Sequence, residues 1–427
     1  MTNLTRILQA FKSIQSTDPQ LMSSNNVKRA AVALILRFRP KDGYRNRSPT
    51  SSEDSPSNLN SIDQLFSQPW MQDGAVTPEI LFIQRAARNG DRWSGHVACP
   101  GGRYEPADDN LKYTAMRECW EEIGLDISDQ RQFLCLGQLD DREVTSSLGK
   151  KLLMILSPFV FVQTTPSDIK LELEPQEVES VHWIPVDLLT DLAQYTRVEV
   201  DLPTRLSPKS NIGRAILSTV LSNSTLSFPA IQLPNKPFLT APQSGLASVT
   251  ITEENEQDYA PPTPAELDET ITELRKRTAD NRINKSDHPT EKLERPPLKL
   301  WGLTLGFTLD FLSHIPKTDK LDTGISPESS RHLATAHVIK ALFPSFNSPD
   351  INIWMWVCGR RYRSIRRQWE SAALNPGSAD KKKNWSGTIR SAHFAAIRKA
   401  LIFTVIFRIC AAFTTISIFG RYLHKFF

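Results

Sequence analysis

Pro100–Leu125, reading PGGRYEPADDNLKYTAMRECWEEIGL, constrains the chain more than any other stretch. Pro100-Gly101-Gly102 stops a preceding strand, and Asp108, Asp109 and Asn110 are good helix N-caps. A helix from about Asn110 to Ile123 follows, ended by Gly124. At roughly 100° per residue, Glu118, Glu121 and Glu122 share an arc of about 100° on one face. Carboxylates so crowded repel one another unless a hard cation lies among them, and an all-oxygen set suits Mg²⁺ or Mn²⁺ better than zinc. A solvated acidic helix face is the other reading of the same spacing. The Gly-Gly turn in front, Arg117 before the first glutamate and Gly124 behind the last favour the metal-binding one.

This stretch resembles the Nudix box, G-x5-E-x7-R-E-U-x-E-E-x-G-U with U aliphatic. The match is full over Arg117–Leu125, with Cys119 standing at an aliphatic position. The spacer from Gly102 is one residue longer than the family's, and the first acid is Asp109. The resemblance implies metal binding by Glu118, Glu121 and Glu122, with Mg²⁺ or Mn²⁺ as cofactor and a diphosphate linkage as the bond cleaved. It implies an orienting role for Arg117, a helix-supporting role for Asp109, and a general base that lies in the box or in the loop before the last strand. Glu121 and Glu122 are the best direct ligands and catalytic groups. Glu174 and Glu177 fall in that loop, and Glu177 is the better base or additional ligand; an ordinary solvated acid is the alternative.

Upstream, Arg85-Ala-Ala-Arg-Asn-Gly-Asp-Arg-Trp-Ser-Gly-His-Val-Ala-Cys-Pro-Gly-Gly102 is similar to the extra signature of the coenzyme A pyrophosphatase branch. Arg85, Gly95, Val97 and Pro100-Gly101-Gly102 match; His96 and Cys99 depart from the branch's Gln and Phe. Arg85, Arg88 and Arg92, with Gly101 and Gly102, are the expected substrate-binding residues, since guanidinium forks pair well with phosphate oxygens. An exposed surface charge is the alternative for each Arg. Trp93 could stack on a base or pack in the core, and His182, next to Trp183, reads as structural.

Around the box, Arg29–Phe38, Glu79–Gln84, Phe133–Gly137, Lys151–Val162 and Val178–Trp183 read as strands, with a helix over Val186–Ala193. The fold class is therefore α/β: a Nudix-like α/β/α sandwich with a mixed sheet, long disordered insertions and a helical C-terminal region. The expected organisation is an N-terminal segment over 1–25 and a hydrolase domain over 26–235 with an insertion at 42–76. A disordered acidic, proline-rich loop follows at 236–297, then a helix closing the domain at 298–320 and a basic region at 326–427. Phe228–Leu233 reads as an edge strand, and Leu300–Leu312 as an apolar helix like the W-G-x-T segment of the coenzyme A branch. The insertions follow from composition: NRSPTSSEDSPSNLNS cannot bury enough apolar surface to order itself. The amino end, with Leu4, Ile7, Leu8 and Phe11 at helical spacing, reads as an amphipathic docking helix, with a mitochondrial presequence as the alternative. Five scattered cysteines without metal spacing point to a reducing compartment.

The net charge of +4 conceals an asymmetry: Arg360–Phe427 holds fourteen Lys and Arg against Glu370 and Asp380. Within it, residues 400–420 carry a single charge, Arg408. Eleven large aliphatic or Phe side chains there favour insertion by roughly 3–7 kcal/mol, against about 3 for Arg408. Membrane association through 400–420 is expected, with the catalytic domain on the cytosolic side by the positive-inside rule. Specific nucleic-acid binding is not expected of a basic cluster beside an apolar run. The organelle stays open, mitochondrion and peroxisome included. The expected function is Mg²⁺-dependent hydrolysis of the pyrophosphate linkage in a nucleoside diphosphate derivative, coenzyme A or its derivatives favoured. The alternatives are a nucleotide sugar or an oxidised nucleotide as substrate, or a membrane-tethered, non-catalytic scaffold.

Overall fold

A computed structural model of the chain describes residues 3–19, 21–22, 27–40, 61–72, 76–88, 94–145, 151–167, 169–202, 215, 218–222, 224–241, 295–316, 344–374 and 385–423. The chain divides into two units, 1–241 with 297–427, and 242–296. Apart from 295–296, the second unit, which holds most of the expected acidic loop, lies outside the described residues.

The elements begin with α1 (Asn3–Ser16), β1 (Lys28–Pro40), α2 (Ile62–Phe66), α3 (Pro69–Gln72), β2 (Val76–Arg85), β3 (Val97–Ala98) and β4 (Gly101–Arg103). Then come α4 (Leu111–Ile123), β5 (Phe133–Gln138), β6 (Arg142–Thr145), β7 (Leu152–Gln163), β8 (Val178–Pro185), α5 (Val186–Thr190), β9 (Tyr195–Asp201), β10 (Thr225–Leu233) and β11 (Leu239–Thr240). The chain ends with β12 (Leu298–Trp301), α6 (Gly302–Ser313), β13 (Ser345–Phe346), α7 (Pro349–Cys358), α8 (Arg360–Leu374) and α9 (Trp385–Leu423).

The larger sheet runs β11-β8-β2-β1-β7-β5, with β3 on β2, β4 on β1 and β6 on β7. It is mixed: β1 is parallel to β7, Leu34 opposite Val160, and antiparallel to β2, Leu36 opposite Ile80. The unbroken aliphatic run of β1 is what a central strand covered on both faces requires. Ala31, Ala33 and Ile35 pack under α4 with Ala115, Cys119 and Ile123. Val32, Leu34 and Leu36 face the opposite layer, where α1 contributes Ile7, Phe11 and Ile14 and α6 contributes Leu305, Phe307 and Phe311. Helix α1 is thus docked on the sheet through its apolar face, with Phe11 edge-on to Phe38 and Phe66.

Three segments differ from the sequence reading. The insertion at 42–76 contains α2 and α3, whose Ile62, Leu65, Phe66, Trp70 and Met71 are buried in the same layer as α1. Its low-complexity tract, except for Ser61, lies outside the described residues. The segment 228–233 belongs to β10, which is not an edge: β9 pairs along it on one register and β12 and β13 pair at its two ends. Its partners come from far along the chain, so the local pattern carries no trace of them. The apolar helix begins at Gly302 and not at Leu300, because Leu298–Trp301 is drawn into pairing with Ala230–Leu233.

Candidate active site

Two glycines place the box helix against the sheet. In β4, Gly101 lies opposite Val32 and Gly102 opposite Ala31. Gly101 has φ +147°, and a Cβ there would sit 2.3 Å from the Ala31 carbonyl oxygen. A Cβ on Gly102 would sit 2.3 Å from the Glu118 carboxyl carbon, so the bare glycine makes room for that side chain. Helix α4 is capped by Asn110, whose side chain accepts from the Tyr113 N–H at 3.0 Å. It ends at left-handed Gly124, whose N–H donates to the Trp120 carbonyl at 2.8 Å.

The three glutamates sit at different depths. The Glu122 side chain is 2% exposed, Glu118 15% and Glu121 53%. Glu122 accepts a hydrogen bond from the Gly101 N–H at 2.9 Å, and the Arg85 guanidinium lies 3.6 Å away. Burial pushes its carboxyl up to about 8, with Glu118 and Glu177 adding to the rise, while the Gly101 N–H and Arg85 oppose it. Glu118 is also raised, chiefly by burial and then by the charges of Glu121 and Glu177, against the pull of Arg117. Glu118 therefore stands within electrostatic reach of the other three carboxylates.

Arg117 gathers the outer acids. It donates from Nη1 to Glu121 at 2.8 Å and from Nη2 to the Arg103 carbonyl at 3.0 Å, and lies 3.2 Å from Glu118. Its principal partner is Asp108, bound at 2.8 and 3.1 Å. Asp108 is buried and also accepts from the Glu105 N–H and the Thr114 hydroxyl, which together with Arg117 hold its carboxyl at about 2. The helix-supporting role expected of Asp109 thus belongs to Asp108, while Asp109 is exposed. Counting along the chain favours Asp109 because it keeps the seven-residue spacing to Arg117. The turn at Glu105–Asp108 instead aims the earlier side chain inward.

Glu177 reaches the site from the loop before β8. Two bonds fasten that loop to the end of α4: Glu172 N–H donates to the Ile123 carbonyl at 2.9 Å and Glu174 N–H to the Glu122 carbonyl at 3.0 Å. Glu177 itself is half-exposed, ion-paired with Arg88 at 3.0 Å; Arg88 Nε also donates to the Gln176 carbonyl at 2.6 Å. Sequence spacing cannot reveal this fastening, since the bonds are between main-chain atoms. Arg85 and Arg88 are thus both at the site, and Arg92 lies outside the described residues. His182 is buried beside the Ser180 hydroxyl at 2.9 Å, a place inside the sheet layer.

In kind, these donors fit a hard divalent cation: all are carboxylate oxygens, one of them buried and held by a backbone N–H. In arrangement, no group of three or more His, Cys, Asp or Glu among the described residues is close enough together to hold a metal ion. Arg117 draws Glu121 aside, and Glu118, Glu122 and Glu177 are the acids coupled across the helix–loop junction.

Residues 71–201 match the family model described as NUDIX domain. An uncharacterised protein of Schizosaccharomyces pombe is 34% identical over 199 residues, covering 46% of this chain and 53% of that protein. A mitochondrial coenzyme A diphosphatase of Mus musculus is 36% identical over 66 residues, 16% of this chain and 31% of that protein. A peroxisomal coenzyme A diphosphatase of Caenorhabditis elegans is 28% identical over 130 residues, 30% of this chain and 51% of that protein. The chain spans about half the length, or less, of these relatives. With the box helix held over a mixed sheet by Gly101 and Gly102, residues 71–201 form the NUDIX domain of this chain.

Proposed function

We propose that the chain is a Mg²⁺- or Mn²⁺-dependent hydrolase that cleaves the diphosphate linkage of a nucleotide derivative, with coenzyme A or a derivative as the favoured substrate. The observation that carries this reading is the buried Glu122, held by the Gly101 N–H at 2.9 Å with the Arg85 guanidinium 3.6 Å away, on the helix that also carries Glu118 and Glu121. The likeness to two proteins named coenzyme A diphosphatases supports the substrate class.

Glu118 and Glu122 would hold the cation, with Glu121 joining when it leaves Arg117. The bound ion supplies charge neutralisation for the phosphate oxygens and acidifies water. The residues of the chain do the rest. Glu177 accepts a proton from the attacking water, since its carboxylate is half-exposed and its charge is felt by Glu118 and Glu122. A P–O bond forms from that water as the bridging P–O bond breaks, leaving two phosphate-bearing products. Arg85 and Arg88 bind the non-bridging oxygens and hold the diphosphate in line. Arg117 fixes the outer acids without touching substrate, a positioning role.

The test is turnover by the purified full chain with Mg²⁺ against coenzyme A, a nucleotide sugar and an oxidised nucleoside triphosphate. Coenzyme A is expected to give the highest kcat/KM, and Glu122→Gln to abolish it with the circular dichroism spectrum unchanged. No turnover of any of the three, with Mn²⁺ bound by calorimetry, would overturn the catalytic reading.

A further inference from the structure

Away from the site, most of the exposed large apolar side chains among the described residues lie on α7 and α9. Helix α7 presents Ile353, Trp356 and Val357 to solvent, and it packs on α9 with Trp354 stacked on Phe403 at 5.1 Å. Helix α9 has two halves of different character. Ile389, Ala392, Ala396, Ile397, Leu401 and Thr404 are buried, and Ile397 and Leu401 share a core with Leu226 and Phe346 of the smaller sheet. From Cys410 to Tyr422 every residue is exposed.

Arg408 marks the change. Its guanidinium forks onto Asp350 at 2.7 and 2.9 Å, and Nη1 also donates to the Val220 carbonyl at 2.8 Å. The one charge in the apolar run is therefore neutralised by α7 and fixed to the folded domain.

Beyond it, α9 is built for an apolar medium. It shows large side chains all round, Phe413, Ile416, Ile418 and Phe419 being each more than half exposed. Its two threonines, Thr414 and Thr415, donate back to carbonyls of their own helix, to Cys410 and Ala411 and to Ala411 and Ala412. Between α7 and α9, α8 opens with Arg360, Arg361, Arg363, Arg366 and Arg367, a charge complementary to anionic headgroups.

We propose that Cys410–Tyr422 inserts into an anionic lipid bilayer, with the Arg408–Asp350 pair at the water–lipid boundary and the arginines of α8 on the headgroups. This moves the start of the inserted segment from residue 400 to residue 410, because Leu401 and Thr404 are buried in protein and Arg408 is held by Asp350, while Ile402, Ile406 and Phe407 stay exposed on the domain side of that pair. Ser391–Tyr422 is long and apolar enough to cross a membrane. The part that projects, Cys410–Tyr422, extends only about 20 Å, short of the ~30 Å hydrocarbon core. The proposal is independent of what the active site hydrolyses.

The test uses the full chain carrying Cys135→Ser and Cys358→Ser. Cys410 is then the exposed thiol, since Cys99 and Cys119 are buried. Flotation with phosphatidylcholine vesicles containing phosphatidylserine should exceed that with phosphatidylcholine alone by roughly tenfold or more. Cys410 should be shielded from a water-soluble maleimide by the anionic vesicles. In a Cys410→Ser background, a cysteine placed by Ile402→Cys should stay reactive. Phe413→Lys with Ile416→Lys, both at exposed positions, should reduce flotation roughly hundredfold. Equal labelling of Cys410 with and without vesicles would overturn the proposal. So would shielding in lipid-free, self-associated protein, which would assign the surface to a second copy, and shielding at position 402 would overturn the boundary.

Discussion

Asp108 and Arg117 form a two-point ion pair across the first turns of the box helix, Nε to Oδ1 at 2.8 Å and Nη2 to Oδ2 at 3.1 Å. The pair holds the Gly102–Asn110 turn against the helix and sets the position from which Arg117 reaches Glu118 and Glu121.

Asp108→Ala should therefore cost about 3 kcal/mol in denaturant unfolding, because it leaves a partly buried guanidinium short of its main partner. Asp109→Ala, at an exposed position, should stay within about 0.5 kcal/mol. Equal effects would return the role to Asp109.

The same carboxyl gives an acid-stability prediction. Held at about 2 against an ordinary 3.8, Asp108 contributes stability that is complete above the ordinary value and is lost as pH falls toward 2. Asp108→Asn should flatten that part of the pH–stability curve, which is measured by thermal unfolding between pH 2 and 5.

Glu122 titrates in the opposite sense. Raised to about 8 by burial, it makes the metal-free fold most stable below the ordinary value of 4.5, with stability declining as pH rises through about 8. A divalent ion needs the carboxylate, so its binding expels the proton. Mn²⁺ affinity should rise with pH up to about 8 and level off above it. Calorimetry in buffers of different ionisation enthalpy should count close to one proton released at pH 7, and Glu122→Gln should abolish that release.

The two glycines of β4 should separate folding from catalysis. In Gly101→Ala the new methyl meets main-chain atoms, the Ala31 carbonyl oxygen at 2.3 Å and Val32 Cα at 2.6 Å, at a φ that disfavours any side chain. That variant should lose several kcal/mol of stability, on the order of 3. In Gly102→Ala the obstacle is the mobile end of Glu118. Stability should change by less than about 1 kcal/mol, while kcat/KM should fall roughly hundredfold as Glu118 is pushed aside. Parallel unfolding and kinetic measurements would check the split.

Glu177→Gln should lower kcat by about 10²–10⁴ with KM little changed, the signature of a lost base. Arg88→Ala should raise KM more than it lowers kcat. A raised KM with kcat unchanged for Glu177→Gln would make it a binding group.

What the sequence determined by itself is whatever depends on neighbours in the chain. The box helix, its Asn110 cap and Gly124 stop, the placing of Glu118, Glu121 and Glu122 on one face and the doubly covered strand β1 all follow from periodicity and capping, which are local. Tertiary structure decided the depths of those three glutamates, because burial depends on which side of α4 meets the sheet. It also decided that Asp108 and not Asp109 meets Arg117, that the loop carrying Glu174 and Glu177 is fastened to the end of α4 by main-chain bonds, and that β10 is an interior strand. In α9 the uniform apolar pattern says nothing of where protein contact ends. Only the fold places Asp350 opposite Arg408, because the two are joined by contact between helices 58 residues apart in the chain.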